Sequence, residues 1–239
     1  MRDMPVIETF STRDSWAEAC AARIMETLVQ AVDADGAAFF AGSGGSTPSP
    51  IYRRMAGVGG VDWSRITTTL IDERYVPEAS PDSNAALLKR ALLTSPAAVA
   101  QFIPLYSPAV TVDRAAALAS HTLAAEGRPL DAVLLGMGED GHICSMFPGS
   151  PTLTTLLTLS LKPAVYGVPA GRDGAAPPQE RLTLNLPWLA GARCVVLALT
   201  GAKKRAVFER EAASDPAVSP IAALIAANAP LEVFWTEAD

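Results

Sequence analysis

The sequence predicts an α/β fold, three layers deep, on a mostly parallel sheet. Three observations predict it. Short β-prone apolar runs alternate with amphipathic helical stretches along the whole chain. Several of those runs are apolar at every position, as strands buried on both faces are. No internal repeat or low-complexity linker divides the 239 residues, so residues 1–239 are expected to form one domain.

Composition narrows the class. Hydrophobic residues make up 49% and charged residues 18%, which suits a globular chain rather than a disordered one. The net charge of −6, without blocks of like charge, argues against a general nucleic-acid or membrane-surface binder. It leaves room for a small anionic ligand, which a few cations and backbone N–H groups can hold. Cys20, Cys144 and Cys194 are far apart, odd in number and without zinc spacing. They read as buried apolar side chains in a reducing compartment, with Cys144 close enough to His142 to line a site. The N-terminus lacks a signal pattern, and no apolar run approaches the ~18 residues of a membrane span. A cytoplasmic protein is expected, a monomer or weak homo-oligomer.

Taken in order, residues 1–12 form a short strand or arm. Apolar positions from Asp14 to about Val32 repeat at helical spacing, with Asp14 or Ser15 as cap, and Gly36 closes the connection. Ala37 to Ala41 is a buried strand. It runs into Gly42-Ser43-Gly44-Gly45-Ser46-Thr47-Pro48, a glycine loop opening a helix, with Ser46 or Thr47 as cap and Pro48 at the first helical position. Such a helix start offers unpaired N–H groups to a phosphate, and Ser43, Ser46 and Thr47 add hydroxyls. The loop is neither a Walker A sequence nor a G-x-G-x-x-G fingerprint. Ile66 to Ile71 is a strand ending in Asp72-Glu73-Arg74-Tyr75-Val76-Pro77, and charges at a parallel strand's carboxyl end lie where such sheets bind ligands.

Pro81-Asp82-Ser83-Asn84 caps a helix to about Leu93, Phe102–Leu105 is a short strand, and Ala115–Ala125 is a helix carrying His121 on its surface. Asp131 to Leu135 is a buried strand that breaks into Gly136-Met137-Gly138-Glu139-Asp140-Gly141-His142. Glycines at that density let the backbone turn sharply and approach a ligand, and they deliver one of only two histidines. A neutral imidazole suits proton transfer near neutral pH. Ser145–Leu157 is loop and short helix, Lys162–Val168 a strand, and Gly167–Pro178 a surface loop able to move. Strand 180–185, a short helix at Trp188, strand 193–199, a helix from Thr200-Gly201-Ala202-Lys203-Lys204 to Ala212, helix 221–227 and strand 231–235 complete the chain. A lysine at a helix start is also compatible with phosphate.

Seven motifs then occur in the order seen in one family. They are Gly42–Pro48, Asp72–Pro77, Asp82-Ser83-Asn84, Gly136–His142, Phe147-Pro148-Gly149, Glu180-Arg181-Leu182-Thr183 and Gly201–Lys204. Over roughly residues 15 to 235 the chain resembles the 6-phosphogluconolactonases, which are similar to the glucosamine-6-phosphate deaminases and share their Rossmann-like fold. The resemblance implies hydrolysis of 6-phosphoglucono-δ-lactone to 6-phosphogluconate in the oxidative pentose phosphate pathway. It implies a small-molecule substrate and no metal or organic cofactor. His142 matches the histidine that activates water; Asp140 or Asp72 is expected to hold its ring, as a carboxylate does for other catalytic histidines. Arg181 and Lys204, which fits the family spacing better than Lys203, match phosphate ligands. Gly44, Gly45, Ser46 and Thr47 match the sugar-phosphate loop, and Asp72 and Arg74 the polar wall beside it.

Two departures bear on this. Ile143 replaces the usual lactonase threonine, as in the deaminases. The deaminase carboxylate five residues past the histidine is Phe147 here, which favours the lactonase. Arg172 and Lys203 are further cations able to meet a phosphate. Three rivals remain at this level: a deaminase, a serine hydrolase with Ser43 in a loosened nucleophile elbow, and a sugar-phosphate sensor. The elbow reading expects a histidine late in the chain, and none follows His142.

Overall fold

The runs that are apolar throughout become the centre of a seven-stranded sheet. The computed structural model describes residues 4–171 and 177–238. Across the sheet lie β1 (Ile7–Phe10), β10 (Leu231–Thr236), β9 (Cys194–Thr200), β6 (Ala132–Leu135), β2 (Ala38–Gly42), β3 (Ile66–Leu70) and β5 (Gln101–Phe102). Every neighbouring pair is parallel. All residues of β2, β3, β6 and β9 are buried, which is why these segments show no alternation of polar and apolar residues.

Helices flank the sheet. α1 (Arg13–Asp35), α2 (Ser49–Ala56) and α3 (Asn84–Ala91) pack side by side. α5 (Leu153–Leu157), α6 (Leu186–Ala190), α7 (Gly201–Ala212) and α8 (Pro220–Ala226) form a second group. The buried apolar side chains make one continuous cluster around Trp16, Phe39, Phe40, Tyr52, Trp63 and Phe208. Among the described residues no helix is long and apolar enough to cross a membrane.

A second sheet goes beyond the sequence expectation. β4 (Asp72–Arg74), β8 (Arg181–Leu184) and β7 (Val165–Val168) pair antiparallel, and α4 (Val112–Ala124) packs on β7 and β8. The expected charged strand end is therefore itself a strand. The switch takes one residue: the Ile71 N–H donates to the Gly42 carbonyl in the large sheet, and its carbonyl accepts the Leu184 N–H of the small one.

Several boundaries differ from those the sequence predicts. The first helix starts earlier and is capped by Thr12, whose hydroxyl accepts the Ser15 N–H at 3.0 Å, not by Asp14 or Ser15. Neither Ser46 nor Thr47 caps α2. Pro48 occupies the cap without a side-chain bond, and Pro50 follows in the first turn. Two prolines there remove two N–H donors, so this helix start is a poorer anion cradle than expected. Gly167 is held in β7, where an added Cβ would lie 2.7 Å from Asp113 Oδ1. The loop thus begins later than predicted, and Arg172 and Gly174 lie outside the described residues.

Candidate active site

The cleft arises where the chain reverses its direction across the sheet. From β2 it moves outward to β3 and β5, then returns to β6 on the other side of β2 and proceeds to β9. The loops leaving the carboxyl ends of β2 and β6 diverge at this point, and a crevice opens between them. A cavity of about 220 Å³ lies there. Ser43 to Thr47 from the β2 loop, Gly136 to Gly138 and His142 from the β6 loop, and Lys204 from α7 line it. Asp72, Arg74 and Arg181 line it from the small sheet, with Asn84 and Cys144 beside them.

His142 is held by its own loop. Its Nδ1 lies 2.5 Å from Asp140 Oδ1, and its backbone N–H points to the same oxygen at 3.3 Å. The turn is closed by Gly138 N–H donating to the His142 carbonyl and Gly141 N–H to that of Gly138. Gly138 must be glycine: a Cβ there would sit 2.3 Å from His142 Nδ1 and 2.4 Å from Asp140 Oδ1. Phe147 packs on the imidazole, ring centroids 4.5 Å apart. Among the described residues Nε2 has no protein partner. Burial pushes the half-exposed Asp140 carboxyl up, but its bonds to and charge attraction with His142 outweigh this and hold it below its ordinary value.

Asp140, not Asp72, is the carboxylate in contact with the imidazole. Asp72 is buried and engaged elsewhere. Its Oδ2 accepts the Ser145 hydroxyl at 2.7 Å and lies 3.6 Å from an Arg181 nitrogen, while Asn84 Nδ2 donates to its carbonyl and to Oδ1. The Ser145 N–H donates to Thr183 Oγ1. The turn after the histidine, closed by Met146 N–H on the Ile143 carbonyl, is thereby stapled to the small sheet.

Arg74 and Arg181 face each other across β4 and β8 in register. Arg74 donates to the Asp82 carbonyl and to Asn84 Oδ1. Burial lowers the Arg181 pKa, Asp72 opposes this, and Arg74 adds to it. The Nε of each guanidinium is buried without a hydrogen-bond partner among the described residues. Glu73, on the opposite face of β4, accepts the N–H groups of Arg74, Asn84 and Ala85 and the Ser83 hydroxyl. It anchors the start of α3, and burial nonetheless raises its pKa.

The other residues expected at the site also gather here. Gly44 and Gly45 line the cleft with Ser46 and Thr47. A Cβ on Gly44 would overlap Asn84 at 1.9 Å, so that glycine is required by the asparagine. Lys204 lines the cleft, whereas exposed Lys203 pairs with Glu139 at 2.5 Å. Ser43 Oγ donates to the Gly44 carbonyl and, among the described residues, is hydrogen-bonded to no histidine or carboxylate, which argues against the nucleophile-elbow reading. Burial raises the Cys144 thiol well above its ordinary pKa, so it is a neutral wall of the cleft. Among the described residues no cluster of His, Cys, Asp and Glu is placed to hold a metal. Asn84 is the main residue that sequence reasoning misses: in the sequence it is part of a helix cap, and nothing in its spacing directs its side chain into the cleft.

Comparison with known proteins identifies the family. The model of the family described as glucosamine-6-phosphate isomerases/6-phosphogluconolactonase matches residues 11–235. A 6-phosphogluconolactonase of Rhizobium meliloti is 41% identical over 228 residues, 95% of this chain and 96% of that protein. One of Caulobacter vibrioides is 38% identical over 232 residues, 97% of each. The crystal structure of a 6-phosphogluconolactonase from Shewanella baltica OS155 is 34% identical and superposes with a TM-score of 0.89 over 99% of both chains. A monomeric glucosamine-6-phosphate deaminase, 17% identical with a TM-score of 0.75 over 96% of each chain, shares the fold. With its seven-stranded parallel sheet, its glycine-turn histidine and matches over nearly its full length, the chain belongs to the glucosamine-6-phosphate isomerase/6-phosphogluconolactonase family.

Proposed function

We propose that the chain hydrolyses 6-phospho-D-glucono-1,5-lactone to 6-phospho-D-gluconate, the second step of the oxidative pentose phosphate pathway, in the cytoplasm. One observation carries this reading: an imidazole held at Nδ1 by Asp140, with no protein partner at Nε2 among the described residues, lines a cleft that Arg74, Arg181 and Lys204 also line. With the Nδ1 proton donated to Asp140, Nε2 is the lone-pair nitrogen that accepts a proton from water. The resulting hydroxide equivalent attacks C1 of the lactone. N–H groups of the glycine turns at Gly44–Gly45 and Gly136–Met137 stabilise the oxyanion. As the tetrahedral intermediate collapses, the C1–O5 bond breaks and the imidazolium returns its proton to O5, which opens the ring. A δ-lactone is already a reactive ester, so the proposal requires neither a covalent enzyme intermediate nor a metal or organic cofactor.

The distant phosphate fixes orientation. Arg74, Arg181, Lys204 and the Gly44-Gly45-Ser46-Thr47 loop are proposed to hold it, through charge-assisted bonds of about 1.5–3 kcal/mol each. That all three cations line the same cleft as the glycine loop supports their part in this. Asp72 acts indirectly, by bracing Arg181. The continuous core supports residues 1–239 working as one domain on a small molecule, as a monomer or weak homo-oligomer.

The test uses lactone freshly made by glucose-6-phosphate dehydrogenase, with spontaneous opening subtracted. Wild-type protein is expected to accelerate opening and to release no ammonia from glucosamine 6-phosphate. His142→Ala should retain substrate binding and lose about 10²–10⁴-fold in kcat, the range of a positioned general base. Arg181→Ala and Lys204→Ala should chiefly raise KM. Wild-type turnover by His142→Ala would refute the base, and equal use of the dephosphorylated lactone would refute the phosphate anchor.

A further inference from the structure

Phe147 carries no polar atom and falls outside the proposed chemistry, yet it touches both halves of the site. Its ring centroid is 4.5 Å from that of His142, with 39° between the planes, and the Arg181 guanidinium carbon lies 5.6 Å from the same centroid. The side chain is buried and belongs to the main core. Around the imidazole the protein supplies Asp140 at Nδ1, the bare α-carbon of Gly138 against Nδ1 and Cε1, and the Phe147 ring. Asp140 and Gly138 belong to the same glycine turn as the histidine and would move with it. Phe147 lies beyond the stapled turn at Ile143–Met146, so it ties the ring to a different part of the molecule.

The same holds for Arg181. Asp72 restrains one of its terminal nitrogens at 3.6 Å, a loose ion pair, and its Nε has no partner. A guanidinium beside an aromatic ring is held by cation–π attraction, which also limits its swing. We infer that Phe147 is a positioning residue that fixes the spacing between the water-activating imidazole and the phosphate-holding Arg181, with one ring serving as the wall of both. This rests on the lactonase reading of the cleft. A rigid aromatic suits this role because it has few rotamers. It also offers one nonpolar surface that competes with neither Asp140 nor Asp72 for their partners.

The experiment compares Phe147→Leu, Phe147→Met and Phe147→Tyr with wild type on the phosphorylated and the dephosphorylated δ-lactone, alongside the urea midpoint of each protein. The aliphatic variants keep a buried apolar group but lose the flat face. They are expected to lose about 10- to 100-fold in kcat on both substrates, the scale of a displacement near 1 Å at a reacting group. They should also show a several-fold rise in KM on the phosphorylated substrate alone. Phe147→Tyr keeps the ring and should stay within about threefold of wild type on both. Because Phe147→Met conserves volume most closely, it serves as the readout if Phe147→Leu does not fold. Aliphatic variants with unchanged kcat and KM, or with a lowered midpoint and KM altered alike on both substrates, overturn the positioning role. An inactive wild type would instead refute the lactonase reading, so the two failures are distinct.

Discussion

The imidazole of His142 is usable because a neighbouring position has no side chain. Gly138 leaves the space in which His142 Nδ1 and Asp140 Oδ1 meet at 2.5 Å. The turn that delivers the histidine was legible in the sequence, since three glycines within six residues after a buried strand mark a sharp reversal of the backbone. Which carboxylate faces the ring was not legible, because Asp140 and Asp72 differ only in where the folded chain carries them. The pair has a pH signature. Asp140 titrates below its ordinary value in the folded state, so its stabilising contribution is complete above about pH 3.9, the value of an unperturbed aspartate. That contribution is lost as the pH falls through the folded-state value. The difference in urea midpoint between wild type and Asp140→Asn is therefore expected to be constant near neutrality and to shrink below about pH 4. A difference that grows on acidification would contradict the assignment. Asn84 shows the opposite limit of sequence reading: its amide touches Asp72, Arg74 and the space above Gly44, and only long-range pairing brings those partners together.

At the scale of the element, helices and buried strands followed from periodicity, while their ends and the small sheet did not. Thr12 displaced Asp14 and Ser15 as the first cap because local signals offered three closely spaced side chains with suitable oxygens. The pairing of β4 with β8 joins residues about a hundred positions apart, and β4 is only Asp72–Arg74 long. No window on the sequence spans it. Glu73 is the clearest product of that pairing. Its two oxygens receive three backbone N–H groups and the Ser83 hydroxyl, so α3 begins on a side chain from another element. Glu73→Gln replaces one accepting oxygen with an NH₂ that faces N–H donors. We expect destabilisation of about 1–3 kcal/mol, the cost of leaving buried donors unpaired, seen as a lower urea midpoint with an unchanged m-value. Unaltered stability would mean that the carboxylate is not what secures the start of α3.

Across the whole molecule, chemistry and cohesion occupy opposite edges of the large sheet. The loops at the carboxyl edge form the cleft, while the amino edge is tied by ions. Asp131 is fully buried before β6. It accepts the Phe39 N–H at 2.7 Å and Arg128 at 2.9 Å, and Arg193 lies 3.2 Å away. Asp35, the last residue of α1, joins both arginines. Asp131→Ala is expected to cost about 3 kcal/mol, the lower end for breaking a buried pair, while kcat and KM stay near wild type at temperatures where the variant is folded. Loss of turnover without loss of stability would show that the two edges are not separable. The order of the seven strands was open to inference only as a class, because many arrangements satisfy the same alternation of strand and helix.

The single-residue step at Ile71 has a kinetic implication. The groups proposed to activate water and to hold the anion ride on two sheets that exchange one backbone bond in each direction at Ile71, beside the Ser145 staple, the bonds of Asp72 and Glu73 to the start of α3, and side-chain packing. The three-stranded sheet is small and its strands are short, so on warming it should part from the larger one before the parallel core melts. Enzymatic half-life at elevated temperature would then be set by that early separation. Activity should disappear several degrees below the loss of far-ultraviolet ellipticity and return on cooling.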